Sequence, residues 1–148
     1  MSTVTGNYDV ISEHEHIRHL VDRLEAWIER RQLNAADWVS ELATRLERLN
    51  ADLCPHFHAE EKVVFQDISG RIPRLATTVA RLVEQHRRME KDFAQIEVGI
   101  KNLGTQEPGA AEQFIEQIAK VLRLLKVHEQ QEVELILTAY GQDLGEPL

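Results

Sequence analysis

The sequence predicts an all-α fold, an antiparallel up-down-up-down four-helix bundle. Three observations point to it. Apolar residues recur three and four apart in four long segments, Gly and Pro mark the breaks after the second and third, and no segment alternates apolar and polar residues as a half-buried strand would. The 148 residues, 43% of them hydrophobic, suffice for one bundle core and leave no chain for a second. Residues 1–148 therefore read as a single domain, with an N-terminal extension over 1–9 and a C-terminal tail over 142–148.

The first helix is expected from about Val10 to Arg31, with Ile17, Val21, Leu24 and Ile28 on its inner face and Asp9 or Ser12 as a cap. A second begins near Asn34 to Asp37 and follows Leu42, Leu46, Leu49, Leu53, His56, Glu60 and Val63 or Val64 to about Ile68. Pro55 lies inside it, where a missing amide hydrogen interrupts the ladder and kinks the axis. Gly70 closes this helix and Pro73 opens the third, whose stripe is Leu75, Val79, Leu82, His86, Met89 or Glu90, Phe93, Ile96 and Ile100, ending at Leu103 and Gly104. After a loop over Gly104 to Gly109, the fourth helix runs through Phe114, Ile118, Val121, Leu125, His128, Glu132, Leu135 and Ala139 to Gly141.

Polar residues break three of these stripes in register, at His56/Glu60, His86/Glu90 and His128/Glu132. Residues four apart lie on one helix face a turn apart, so each pair points an imidazole and a carboxylate the same way. A buried carboxylate without a partner costs several kcal/mol, and metal ligation supplies the partner. Counted along antiparallel helices, His14 and the three pairs fall in one layer. A single histidine on an apolar face is more often a packed core residue than a ligand, but four in one layer leave that reading little room. His14 shares a face with Ile17, Val21 and Leu24, which favours it over His16 as the helix-1 ligand. His16, His19 and His58 fall off the stripes and read as surface or outer residues, and Glu61 and Glu129 as solvated.

Charge and composition exclude other classes. Lys+Arg 17 against Asp+Glu 25 gives a net charge of −8, a poor match for a phosphate backbone, so no nucleic-acid partner is expected. No apolar run approaches the ~18 residues of a membrane span, and the polar start carries no secretory signal, so no membrane partner and a cytoplasmic location are expected. Cys54 is the only cysteine, which fits a reducing compartment and argues against a structural zinc site of paired thiolates. Cys54 reads as packed rather than redox-active, since nothing basic nearby in sequence marks a lowered thiol pKa. Tyr8 reads as an N-terminal packing residue or, alternatively, a phenolate at the open end of the site. Trp27 and Trp38 flank the first turn, where they pack across it or form part of a homodimer surface.

The phrases His14-Glu-His-Ile-Arg, His56-Phe-His-Ala-Glu60-Glu61, Glu84-Gln-His86-Arg-Arg-Met-Glu90-Lys-Asp-Phe93 and His128-Glu-Gln-Gln-Glu132 resemble, in order and over nearly the whole chain, the hemerythrin-like (HHE) cation-binding domains. The resemblance implies a hemerythrin-like bundle holding two iron ions, a non-haem di-iron centre with an oxo or hydroxo bridge. Glu60 and Glu132 would bridge the ions, with His14, His56, His86 and His128 as terminal ligands. The oxygen carriers have a further histidine where this chain has Glu90, which is expected as a third carboxylate ligand, the alternative being a neighbour that never reaches the metal and leaves one iron an open position for a small molecule. Added anionic charge favours ferric iron and disfavours reversible oxygen carriage.

The function expected from this set is binding of, or reaction with, a small diatomic or peroxide ligand, namely oxygen, nitric oxide or hydrogen peroxide, in sensing, stress response or iron handling. Redox catalysis such as peroxide decomposition is compatible with it. The alternatives are a non-catalytic iron store or donor, or a metal-stiffened bundle that binds a protein partner. The set of four His and two Glu resembles that of the iron-sulfur-cluster repair and iron-sensing branches more than that of the five-histidine carriers, and the cysteine-bearing N-terminal domain usual in the repair branch is not expected here.

Overall fold

The computed structural model describes residues 10–30, 38–102 and 108–143, and all the regular structure among them is helical. Helix α1 spans Val10–Glu29 and α2 spans Trp38–Ala59. The chain continues without a break through a π-helical segment, Glu60–Phe65, into α3, Gln66–Arg71, so that residues 38–71 form one helical rod. A 3₁₀ turn at Pro73–Leu75 leads into α4, Ala76–Lys101, and α5 covers Pro108–Asp143. Four helical rods result, and α1 packs on α2 and α5 while α4 packs on the same two, which closes the ring of neighbours.

The expected apolar stripes are the buried ones. Leu42, Leu46, Leu49 and Leu53 on α2, and Leu82, Phe93, Ile96 and Ile100 on α4, are all within a few per cent of full burial. Where the spacing left a choice, Val64 rather than Val63 and Met89 rather than Glu90 turn inward, and on α5 Ile115 is more deeply buried than Phe114. Trp38 is buried and Trp27 packs partly buried on the same core, with the Arg45 guanidinium 4.9 Å above its ring. The core has two parts. One runs from Ile17 and Leu46 to Ile118 and Leu125, and the other gathers Val64, Phe65, Ile68, Val79, Leu82, Leu135 and Ala139. Buried polar residues lie between them: His14, His56, Glu60, His86, His128 and Glu132.

Four features differ from expectation, one of them the end of α5, which runs past Gly141 to Asp143, so that the first two residues of the expected tail are helical. Helix α2 passes through Pro55 unbroken, because Pro55 and Ala51, whose carbonyl loses its amide partner, both face solvent. The irregular turn instead begins at Glu60. Gly70 stays helical, and the rod ends at Ile72 (φ −129°, ψ 81°), the residue that Pro73 forces out of the α region. Helix α5 starts at Pro108, a favoured first position, so the loop before it ends earlier than Gly109. The expected start of the second helix at Asn34 to Asp37, and Tyr8 and Asp9, lie outside the described residues.

Candidate metal centre

Each rod delivers its polar residues to the same depth. His14 comes from the first turns of α1, His56 from the last turn of α2, Glu60 from the start of the π segment, His86 from the middle of α4, and His128 with Glu132 from α5. The π segment places its wider turn directly at Glu60, a position where such turns recur in functional sites. All six side chains are buried, and both carboxylates are fully enclosed.

The four imidazoles aim Nε2 at the two carboxylates. His14 Nε2 lies 2.9 Å from both Glu60 Oε2 and Glu132 Oε1. His86 Nε2 is 2.8 Å from Glu132 Oε2 and 3.2 Å from Glu60 Oε1, while His128 Nε2 is 2.6 Å from Glu132 Oε2 and His56 Nε2 3.4 Å from Glu60 Oε2. Two groups able to hold a metal ion result: His14, His56, Glu60 and Glu132, and Glu60, His86, His128 and Glu132, the ligand atoms of each lying within 4.8 Å of one another. Both groups contain both glutamates.

Three of the rings are held from outside through Nδ1. Glu61 Oε2 accepts from His86 Nδ1 at 2.7 Å, Gln85 Oε1 accepts from His128 Nδ1 at 2.5 Å, and Glu13 Oε1 lies 3.3 Å from His56 Nδ1. A proton on Nδ1 leaves the Nε2 lone pair free to face inward, the tautomer a metal-binding histidine needs. The His86 ring also stacks on Phe57, with centroids 4.0 Å apart and planes 11° from parallel. Glu61 is itself held by the Arg87 guanidinium, which also binds Glu90.

The electrostatics describe a site short of positive charge. Burial alone would depress His14 and His86, but hydrogen bonds and attraction from Glu132 and Glu60 outweigh it and push both up to about 10. With no metal bound, these two rings are imidazolium ions. Burial, above all, lowers His56. Burial together with the charge of Glu132 raises Glu60, whereas hydrogen bonds from His128, His14 and His86 overcome the burial of Glu132 and hold it well below the usual carboxylate range. Glu60 Oε1 is buried and meets His86 Nε2 at 3.2 Å without hydrogen-bond geometry. Imidazole nitrogens and carboxylate oxygens around an incompletely bonded buried anion suit a divalent transition metal.

Of the seven ligand positions expected from sequence, six come together, and Glu90 does not join them. It faces Arg87 and, at 3.4 Å, His58 Nε2, outside both groups. His16 is exposed and bonds Asp52, and His19 and His58 are also on the surface. The Cys54 thiol contacts Asn50 and is raised, mainly by burial, as a packed thiol should be. The expectation that Glu61 and Glu129 are solvated is overturned. Glu61 is the acceptor for His86, and Glu129 is buried, with Oε2 lacking a hydrogen-bond partner. Burial pushes Glu129 up to about 8, against the opposing pull of His14. Its position was legible in principle, because Ile118, Leu122, Leu125, Glu129 and Glu132 form an unbroken stripe with spacings of four and three.

No helix among the described residues is long and apolar enough to cross a membrane. No curated protein and no solved structure matches the chain. The family model described as "Hemerythrin HHE cation binding domain" matches residues 5–140 and so takes in every residue of the centre. With that match over most of its length, the chain belongs to the hemerythrin HHE cation-binding domain family.

Proposed function

We propose that this chain is a cytoplasmic non-haem di-iron protein, a single antiparallel four-helix domain that binds or reacts with a small diatomic or peroxide ligand in sensing, stress response or iron handling. The observation that carries the reading is the pair of overlapping groups, which share Glu60 and Glu132 and divide the four histidines two and two. Glu60 and Glu132, common to both groups, would be shared between two ions, with His14 and His56 holding one and His86 and His128 the other. The antiparallel arrangement is supported by the order of contacts: His14 meets Glu60 and His16 meets Asp52, while His86 meets Glu61 and Lys101 meets Glu47.

When bound, the iron pair supplies a redox-active Lewis acid able to take a small ligand at an open position. The chain supplies the rest. Glu13, Glu61 and Gln85 fix ring orientation, Phe57 and Phe65 keep water from His86, and the carboxylates offset cationic charge. Glu90, turned to Arg87 and His58, would add no charge to the centre. The experiment that tests this mixes anaerobically iron-loaded protein with oxygen, nitric oxide or hydrogen peroxide in a stopped-flow spectrometer. Rapid spectral change with at least one of them is expected. Inertness to all three, with ready loss of iron to a chelator, would assign the protein to iron storage or donation instead.

A further inference from the structure

Glu129 is the one residue of the buried polar layer for which the centre described above has no use. It is 6% exposed, its Oε2 has no hydrogen-bond partner, and it makes no ion pair with any described residue. It lines a cavity of about 350 Å³ between α1 and α5, together with Arg18, Val21 and Lys126. Lys126 is already engaged by Glu25 at 2.6 Å and by Asp22 at 3.8 Å. An unpaired buried carboxylate is costly and calls for a partner that the described residues do not supply.

The helix geometry shows which partner is in reach. Glu129 precedes Glu132 by three residues, so the two carboxylates are neighbours on one face of α5. His128 lies about 100° round the helix from Glu129, on the side where α4 provides Gln85 and His86. Glu129 lies instead on the side of α1, which carries His14. Helix α5 thus straddles the centre, with Glu132 in the middle, His128 toward one ion position and Glu129 toward the other.

Building on the di-iron reading, we propose that Glu129 is the third carboxylate of the centre and binds the ion held by His14 and His56, the role the sequence pattern suggested for Glu90. Its carboxylate lies outside the two four-residue groups, so binding includes a turn of the side chain out of the α1/α5 cavity. The two ions are then unequal: the one at His14 and His56 has an extra protein ligand, and the one at His86 and His128 is left to meet the small molecule.

The test is anaerobic titration with ferrous iron alone, against a competing chelator, of the wild type, Glu129→Gln, Glu129→Leu and Glu90→Gln. Loss of an outer partner typically weakens metal binding 10- to 100-fold, so loss of a direct ligand should weaken one of the two ions by at least about that much. The expected result is such a loss in both Glu129 variants with the second ion little changed, and wild-type behaviour in Glu90→Gln. Wild-type affinities for both ions in both Glu129 variants would overturn the proposal. A crystal structure of the iron-loaded wild type reads the same point without a variant: Glu129 at coordination distance from the His14/His56 ion supports it, and Glu129 still turned to the cavity overturns it. A wild type that takes up no iron would overturn the di-iron reading itself, and this inference with it.

Discussion

Glu61→Ala isolates what the outer partners of the centre contribute. The His86 Nδ1 to Glu61 Oε2 distance of 2.7 Å describes a charge-assisted hydrogen bond, and Glu61 is steadied by Arg87. Hydrogen bonds to charged groups contribute about 1.5–3 kcal/mol, and 1.4 kcal/mol is tenfold in affinity, so the ion at His86 and His128 should bind roughly 10- to 150-fold more weakly. That range overlaps the 10- to 100-fold typical of lost outer partners. Glu61→Gln keeps a neutral acceptor, worth about 1 kcal/mol of that, and should fall roughly 2- to 25-fold short of the wild type. The assay is anaerobic titration with ferrous iron against a competing chelator, with circular dichroism to confirm that the helices persist. Glu61 is partly exposed, so the fold should survive. Affinity in folded Glu61→Ala within twofold of the wild type would refute the idea that Nδ1 partners set the ligand geometry.

Other expectations follow from the same geometry. Phe57→Ala removes a fully buried ring stacked on His86 and should cost about 3–5 kcal/mol of stability, read from urea denaturation of the metal-free protein; a loss below 1 kcal/mol would mean that Phe57 is not core. In the metal-free protein His14 and His86 are raised from 6.5 to about 10, so their stabilisation is complete below pH 6.5 and is lost as the pH climbs through about 10. The melting temperature of the metal-free form should therefore fall across that window, whereas saturating zinc, which takes neutral imidazole, should flatten the fall; a flat profile without metal would contradict the imidazolium assignment. Glu132→Gln should weaken both ions, because Glu132 belongs to both groups, while His56→Ala should weaken only one. Equal effects of the two substitutions on the two ions would rule out the bridging role.

Much of this was legible in the sequence because helical periodicity is a strong signal where a rod has one apolar face. The stripes of α2 and α4 marked the core, and the breaks at His56/Glu60 and His128/Glu132 marked residues of the candidate centre. Spacing alone could not separate those pairs from His86/Glu90, since all three have the same four-residue offset. What leaves Glu90 outside the two groups is the rotation of α4, which buries Met89 and puts Glu90 beside Arg87 and His58. Glu13, Glu61 and Gln85 were missed for a related reason: they flank the stripes, and whether a flanking residue meets solvent or a neighbouring ring depends on the next helix. The π segment has no compositional signature, whereas Pro55, which does, has its effect on the ladder absorbed on the solvent face. Glu129 did carry a signal, the four-and-three spacing from Ile118 to Glu132.

The central claim is that two ions share Glu60 and Glu132. Metal analysis of protein loaded anaerobically with ferrous iron and freed of loosely held metal, paired with Mössbauer spectroscopy after oxidation, tests it most directly. Two irons per chain, magnetically coupled through a common bridge, are the expected result. One iron, two uncoupled irons, or none would contradict it.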